Sequence, residues 1–346
     1  MANLRRMMIV PSLVISLALA NPATAQQSSP STEQAKKEGE VVWYGTLTGG
    51  AIVGNILKSF ENKYPAIKVK YLRLGGASFV ERIRSEARAG KFLWDVVTSE
   101  YIQFFELSKH VTLARYAGPD SANISAKYRD PNGTWVSIYG AIATIAWNTK
   151  MVKPAEAPKD WKDLLDPRWK GRKIGLPAEA FQWYGGMISY LGDKPGRDFM
   201  KALAAQDPQT QQGYTNTSNL LTAGEFPVAI TRAHRIEDAR AKGAPVDWST
   251  DANPIVISIH PAGISDRASH PAAARLFYNF LTSIEGQSLF TDEGFLSSHS
   301  GVKPRFPKMN LDNIKHPAPP DQKVSERIQT WITEHQQTFR IPVRGG

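Results

Sequence analysis

The chain has 346 residues, 42 Lys+Arg against 32 Asp+Glu, a formal charge of +10, 42% hydrophobic residues and no cysteine. At ~100–200 residues per domain this length predicts about two domains, and the balanced composition excludes fibres, disordered tails and disulfide scaffolds. The missing cysteines exclude thiol catalysis, Cys-ligated zinc and iron–sulfur clusters, while the positive charge leaves nucleic acid, an anionic surface and a small anion to be separated by its distribution.

At the N-terminus Arg5 and Arg6 precede a 14-residue apolar run, Met7 to Ala20, followed by Ala23-Thr24-Ala25. A short basic segment, an apolar stretch too short to span a membrane and a small-x-small site predict a signal peptide cleaved after Ala25 and a periplasmic protein. Losing the two arginines leaves 40 positive against 32 negative residues, a charge of +8. Export makes nucleic acid an improbable partner.

Glu40 to Thr46 reads as a buried strand, and Thr48 to Tyr64 as a helix with Ile52, Ile56, Leu57 and Phe60 on one face. A strand (Ile67 to Leu74), a helix (Ser78 to Ala89) and a third strand (Trp94 to Thr98) follow. This β-α-β-α-β order predicts a sheet covered by helices, with ligand chemistry in the loops at the strands' carboxyl ends. Thr134 to Trp147 is extended and apolar, a predicted crossing between lobes. Beyond it the pattern predicts helix at 161–165, strand at 171–176, helices at 181–191, 196–204 and 218–223, strand at 227–231 and helix at 236–242. Asn253 to Ile264 is again extended and would carry the chain back, before helices at 271–282, 284–292 and 324–337. Two crossings around a compact block predict a discontinuous first lobe (26–137 and 260–346, with the last helix free to pack across lobes) and an inserted second lobe (138–259).

The sequence has no Walker loop, G-x-S-x-G elbow or H-E-x-x-H helix, and its seven histidines lack i, i+4 pairing. Ser297-Ser298-His299-Ser300 reads as a polar turn, and the basic cluster Arg168, Lys170, Arg172 and Lys173 as a solvated loop around a packed Trp169. Not an enzyme, then, is the expectation, with no cofactor. Two loops suit an anion. Thr46, Thr48 and Gly49 open a helix after the first strand, and Ala77 and Ser78 do so one unit later, where free backbone N–H groups face a ligand. Arg232, His234 and Arg235 begin a helix whose dipole they oppose, a local conflict that an anion relieves. Glu100 ends the third strand, able to pair with one of those arginines or to hold a metal, and Ser218 completes the expected ligand set. Trp183 and Tyr184 fit either the floor of a cleft or the core.

Several segments in this order resemble the iron(III)-type periplasmic solute-binding proteins of ABC importers. They are Val41 to Thr48, Asp95 to Glu100, Trp161 to Gly171, Ala223 to Glu225 and Asn279 to Gln287. The resemblance implies an α/β, two-lobed type II periplasmic-binding-protein fold, each lobe a mixed sheet flanked by helices and joined by crossing hinge strands. It also implies a monomer that closes on its ligand and delivers it to an inner-membrane ABC permease. Members that hold ferric ion use a first-loop histidine, a carboxylate after the third strand and adjacent tyrosines in the second lobe. Here those positions carry Thr48, Glu100 and His234-Arg235. Since an arginine repels a metal, the expected ligand is a small anion or an anionic metal chelate. The alternatives are direct ferric binding through Glu100 and His234 and, from another class, a secreted hydrolase.

Overall fold

The computed structural model describes residues 32–47, 50–318 and 322–342. The expected leader, Thr48 and Gly49 lie outside them. The first unit runs α1 (Thr32–Glu38), β1 (Glu40–Gly45), α2 (Gly50–Lys63), β2 (Lys68–Arg73), α3 (Gly76–Arg88), β3 (Val96–Thr98) and α4 (Tyr101–Leu107). A long strand β4 (Val136–Asn148) then leads to the second unit. That unit comprises β5 (Ile174–Pro177), α5 (Phe181–Leu191), α6 (Asp193–Ala204), β6 (Gln209–Gln211), α7 (Gly213–Ala223), β7 (Val228–Arg232), α8 (Ala233–Ala241) and β8 (Val246–Trp248). The chain returns along β9 (Ile255–Ile264) to α9 (Pro271–Thr282), α10 (Ile284–Asp292), β10 (Pro317–Ala318), α11 (Gln322–Glu326) and α12 (Ile328–Thr338).

The main sheet has the order β2-β1-β3-β9-β4-β7-β5-β6. β1 pairs in parallel with β2 and β3, and β5 in parallel with β6 and β7, so two parallel wings flank the centre. β4 and β9 run antiparallel to each other between them. One end of β9 pairs with β3 at Ala262 to Ile264, and the far end of β4 pairs with β7 at Ala143 to Trp147. β9 thus borders the first wing and β4 the second, and every residue of both is buried, as continuous apolar runs require.

Local chemistry explains the element ends. α2 buries Ile52, Ile56 and Phe60, spaced one turn apart. α3 buries Phe79 and Ile83 in a smaller cluster with Trp94, Val97, Phe104 and Leu107. α9 starts with Pro271 at its first turn, and its next N–H groups, of Ala272 and Ala273, donate to the Glu38 carboxylate at 3.2 and 2.8 Å. α7 ends on Gly224 at φ +85°, the left-handed cap that Ala223-Gly224-Glu225 calls for.

Some boundaries differ from expectation. Residues 161–165 form a 3₁₀ turn, held by a capping box between Asp160 and Asp163. The strand expected from Gly171 starts at Ile174, because Gly171 and Arg172 take positive φ in a turn. The final helix is two helices broken at Arg327. α11 packs on α4 and α12 on α5 and α6, so the C-terminal segment touches helices of both wings.

Candidate functional site

The carboxyl ends of both parallel wings face one cleft of about 390 Å³. The first wing contributes Thr46 and Leu47 after β1, and Glu100 and Gln103 after β3. From the second come Glu179, Phe181 and Gln182 after β5, Tyr214 and Thr215 after β6, and Arg232, His234 and Arg235 at the β7–α8 junction. Tyr139, Ala141 and His260 of the crossing strands form the back, with Phe295 beside them. This is the strand-end crevice that the β-α-β pattern predicts.

Arg232 ends β7 and is only 8% exposed. Its Nη1 donates to Ser258 Oγ at 2.8 Å and to the Ala141 carbonyl at 3.4 Å, and its guanidinium lies 4.2 Å from the centre of the Tyr214 ring. Arg235, one turn into the cleft wall, is exposed. Among the described residues, no carboxylate lies within ion-pair distance of either arginine. Glu100 instead accepts from Gln182 Nε2 at 2.9 Å, and Glu179 from the Gly213 backbone at 2.6 Å. A buried cation bonded only to neutral groups keeps most of its desolvation cost, which an incoming anion offsets.

Both histidines in the cleft are neutral. Burial pushes the His260 imidazole down to about 3, with the Arg232 charge adding to the effect. Burial holds His234 well below its ordinary value, reinforced by Arg235, Arg232 and His260. His260 stacks on Tyr139 at 4.0 Å and 12°, and its Nε2 stands 3.8 Å from Glu100 Oε1, too far for a hydrogen bond. Among the described residues, the Nδ1 atoms of both rings are buried without a partner, as is the Tyr214 hydroxyl. The predicted conflict of three cations at the start of α8 is therefore a conflict of two. Burial raises the Tyr214 phenol and holds that of Tyr139 well above its ordinary range. Among the described residues, no three His, Asp or Glu side chains group as a metal site.

Of the expected ligand residues, Thr46, Glu100, Arg232, His234 and Arg235 come together in this cleft. Ser78 is not on its lining; its hydroxyl donates to the Gly75 carbonyl at 2.6 Å, and the side chain of Ala77 is outside the described set. Ser218 faces inward from α7, its hydroxyl 2.5 Å from that of Thr231 and 2.9 Å from the Tyr214 carbonyl, so its bonding capacity is used in holding α7 on β7. Glu100 pairs with Gln182 and not with an arginine. Trp183 and Tyr184 are core: Trp183 packs on Trp161 at 5.2 Å and Tyr184 on His335 at 5.5 Å, while their neighbours Phe181 and Gln182 turn into the cleft. In the 297–300 turn, Ser297 and Ser298 hydroxyls bond Gln287 and Ser137, and His299 Nδ1 accepts from the Gly301 N–H.

The sequence reading missed Tyr139, Tyr214 and His260. His260 carries a usable signal, as the one titratable side chain inside the apolar run Asn253 to Ile264.

A family model described as bacterial extracellular solute-binding protein matches residues 95–316. A Haemophilus influenzae protein described only as uncharacterized is 28% identical over 297 residues, covering 82% of this chain and 83% of its own. Iron-bound HitA from Pseudomonas aeruginosa superimposes with a TM-score of 0.74 at 19% identity, over 86% of this chain and 99% of that one. The periplasmic binding protein AfuA from Actinobacillus pleuropneumoniae, with fructose-6-phosphate bound, gives 0.72 at 22% identity, over 88% and 99%. With this likeness to two-lobed type II periplasmic-binding structures, and with the family model spanning most of the chain, the protein belongs to the bacterial extracellular solute-binding protein family.

Proposed function

We propose that this chain is the periplasmic substrate-binding component of an ABC importer, capturing a small oxyanion between its lobes and handing it to an inner-membrane permease. The observation that carries this reading is Arg232, buried in the cleft with no carboxylate partner among the described residues, and with the exposed Arg235 beside it. A guanidinium fork suits a phosphonate, a phosphate ester or a carboxylate, and the neutral histidines offer ring nitrogens without adding charge. The sugar phosphate held by AfuA supports an oxyanionic cargo. On this reading the leader ends at Ala25, lobe 1 comprises 26–137 and 260–346, lobe 2 comprises 138–259, and the protein acts as a monomer. The ligand favours the closed form because only there does it touch both lobes, the hinge closure for which periplasmic binding proteins are a standard example.

Titration calorimetry with phosphonates and small carboxylates tests the site. Replacing Arg235 by Ala removes one charge-assisted hydrogen bond of ~1.5–3 kcal/mol, a loss of roughly 10- to 100-fold in affinity. Unchanged affinity for an anion that binds the wild type would refute the placement.

Ferric ion is the second reading, favoured by the unpartnered Tyr214 hydroxyl facing a cleft that also holds Glu100. The Arg232 charge over that tyrosine opposes a trivalent cation. Protein incubated with ferric citrate and desalted should emerge without stoichiometric iron; retained iron favours this second reading.

A further inference from the structure

A second hollow of about 340 Å³ lies beside the cleft, between α4 and α5 and over β9. Its walls are mostly apolar: Tyr101 and Ile102 from α4, Gly186 from α5, Val256 from β9, Ala318 from β10 and Val324 from α11. It adjoins the cleft at three points. Tyr101 directly follows Glu100, a cleft residue. Ser258, part of the hollow's floor, holds Arg232 of the cleft at 2.8 Å and alternates along β9 with His260 on the same face. Gln182 belongs to both walls.

Gln182 stands at the boundary. Its Nε2 donates to Glu100 Oε2 at 2.9 Å, while its carbonyl oxygen is buried without a partner among the described residues. The amide is thus anchored at one end, to a residue of the opposite wing, and stands in the walls of both the cationic cleft and the apolar hollow.

A compact oxyanion would occupy the first compartment and leave the apolar walls of the second in contact with water. A ligand that also filled the second would gain affinity in proportion to the apolar area covered. A cavity of ~150 Å³ accommodates benzene, so the hollow has room for a ring with its linker. We propose that the cargo is an amphipathic anion, its oxyanion head at Arg232 and Arg235 and an apolar body of about one ring lying past Gln182 in the hollow. This rests on the anion-binding reading given above and names the class of anion.

The test compares methylphosphonate with 3-phenylpropylphosphonate, which share a head group, by titration calorimetry on the mature protein. The aryl compound should bind at least tenfold more tightly. Ser189→Trp, at an exposed position on the hollow's rim and outside the cleft, should abolish that gain while leaving methylphosphonate binding unchanged; a thermal melt checks that the variant is folded. Equal affinities, or a gain that persists in the variant, overturn the inference. Methylphosphonate binding without an aryl gain refutes this inference alone, whereas binding of neither compound refutes the anion reading with it.

Discussion

Asp95 is 1% exposed and does three things at once. Its Oδ2 accepts from the Val42 N–H at 2.7 Å and meets His270 Nδ1 at 2.8 Å, and its Oδ1 accepts from the His270 N–H at 3.0 Å. One carboxylate therefore pins β1 and the approach to α9 to the start of β3. Asp95→Ala leaves two backbone donors and a histidine without their partner, and should cost about 2–4 kcal/mol in a denaturant melt. Asp95→Asn, which keeps an acceptor, should cost less. A loss below about 0.5 kcal/mol for the alanine variant would show that water replaces the carboxylate there.

At the scale of elements, α12 carries a buried titratable group far from the cleft. His335 is fully buried, both ring nitrogens lack partners among the described residues, and it packs on Tyr184 and Phe339. Burial pushes it down to about 4 from 6.5. The unfolded chain then binds a proton that the folded chain refuses, so stability is intact above about pH 6.5 and declines as pH falls toward 4. At ~1.4 kcal/mol per tenfold in proton affinity, that displacement corresponds to roughly 3 kcal/mol in all. His335→Leu should match or exceed the wild type at pH 7, and its advantage should widen by about that amount by pH 4. A constant difference across the range would show that the ring is hydrated. α12 also explains what the sequence could and could not reveal. Phe181–Leu191, Pro271–Thr282 and Ile284–Asp292 are legible to the residue, since apolar period, proline start and serine cap agree. The break at Arg327 is invisible, because it is set by tertiary packing, α11 lying on α4 and α5 and α12 on α5 and α6. β6, with the polar sequence Gln-Thr-Gln, carries no strand signal and exists through its pairing with β5. Likewise Arg232 and Glu100 are legible at strand ends, whereas Tyr139 and His260 enter the cleft through the register of β4 against β9, a long-range fact.

At the scale of the whole molecule, the cleft lies between wings joined by β4 and β9. Saturating anion at 100 times its dissociation constant should stabilise the protein by ~2.7 kcal/mol and raise its melting temperature. Small-angle scattering should show the same sample shrinking, and the Arg235→Ala variant needing more ligand to do so. Stabilisation without any change in dimensions would mean that the ligand binds one lobe only.

The crossing of β4 and β9 also governs the order in which this protein can be made. β3 finds its antiparallel neighbour at Ala262 to Ile264, more than 160 residues later, and β4 waits more than 110 residues for β9. A nascent chain shorter than that has a first wing with an open edge at β3 and a central strand β4 that can pair with β7 and β8 but not yet with β9. Contacts this distant in sequence slow folding, because the intervening loop must be closed before any of them is rewarded. The two lobes therefore cannot mature one after the other from the N-terminus. Synthesis delivers a chain that stays incomplete until β9 emerges, and the cleft, which draws on both wings and both crossing strands, is among the last parts to form.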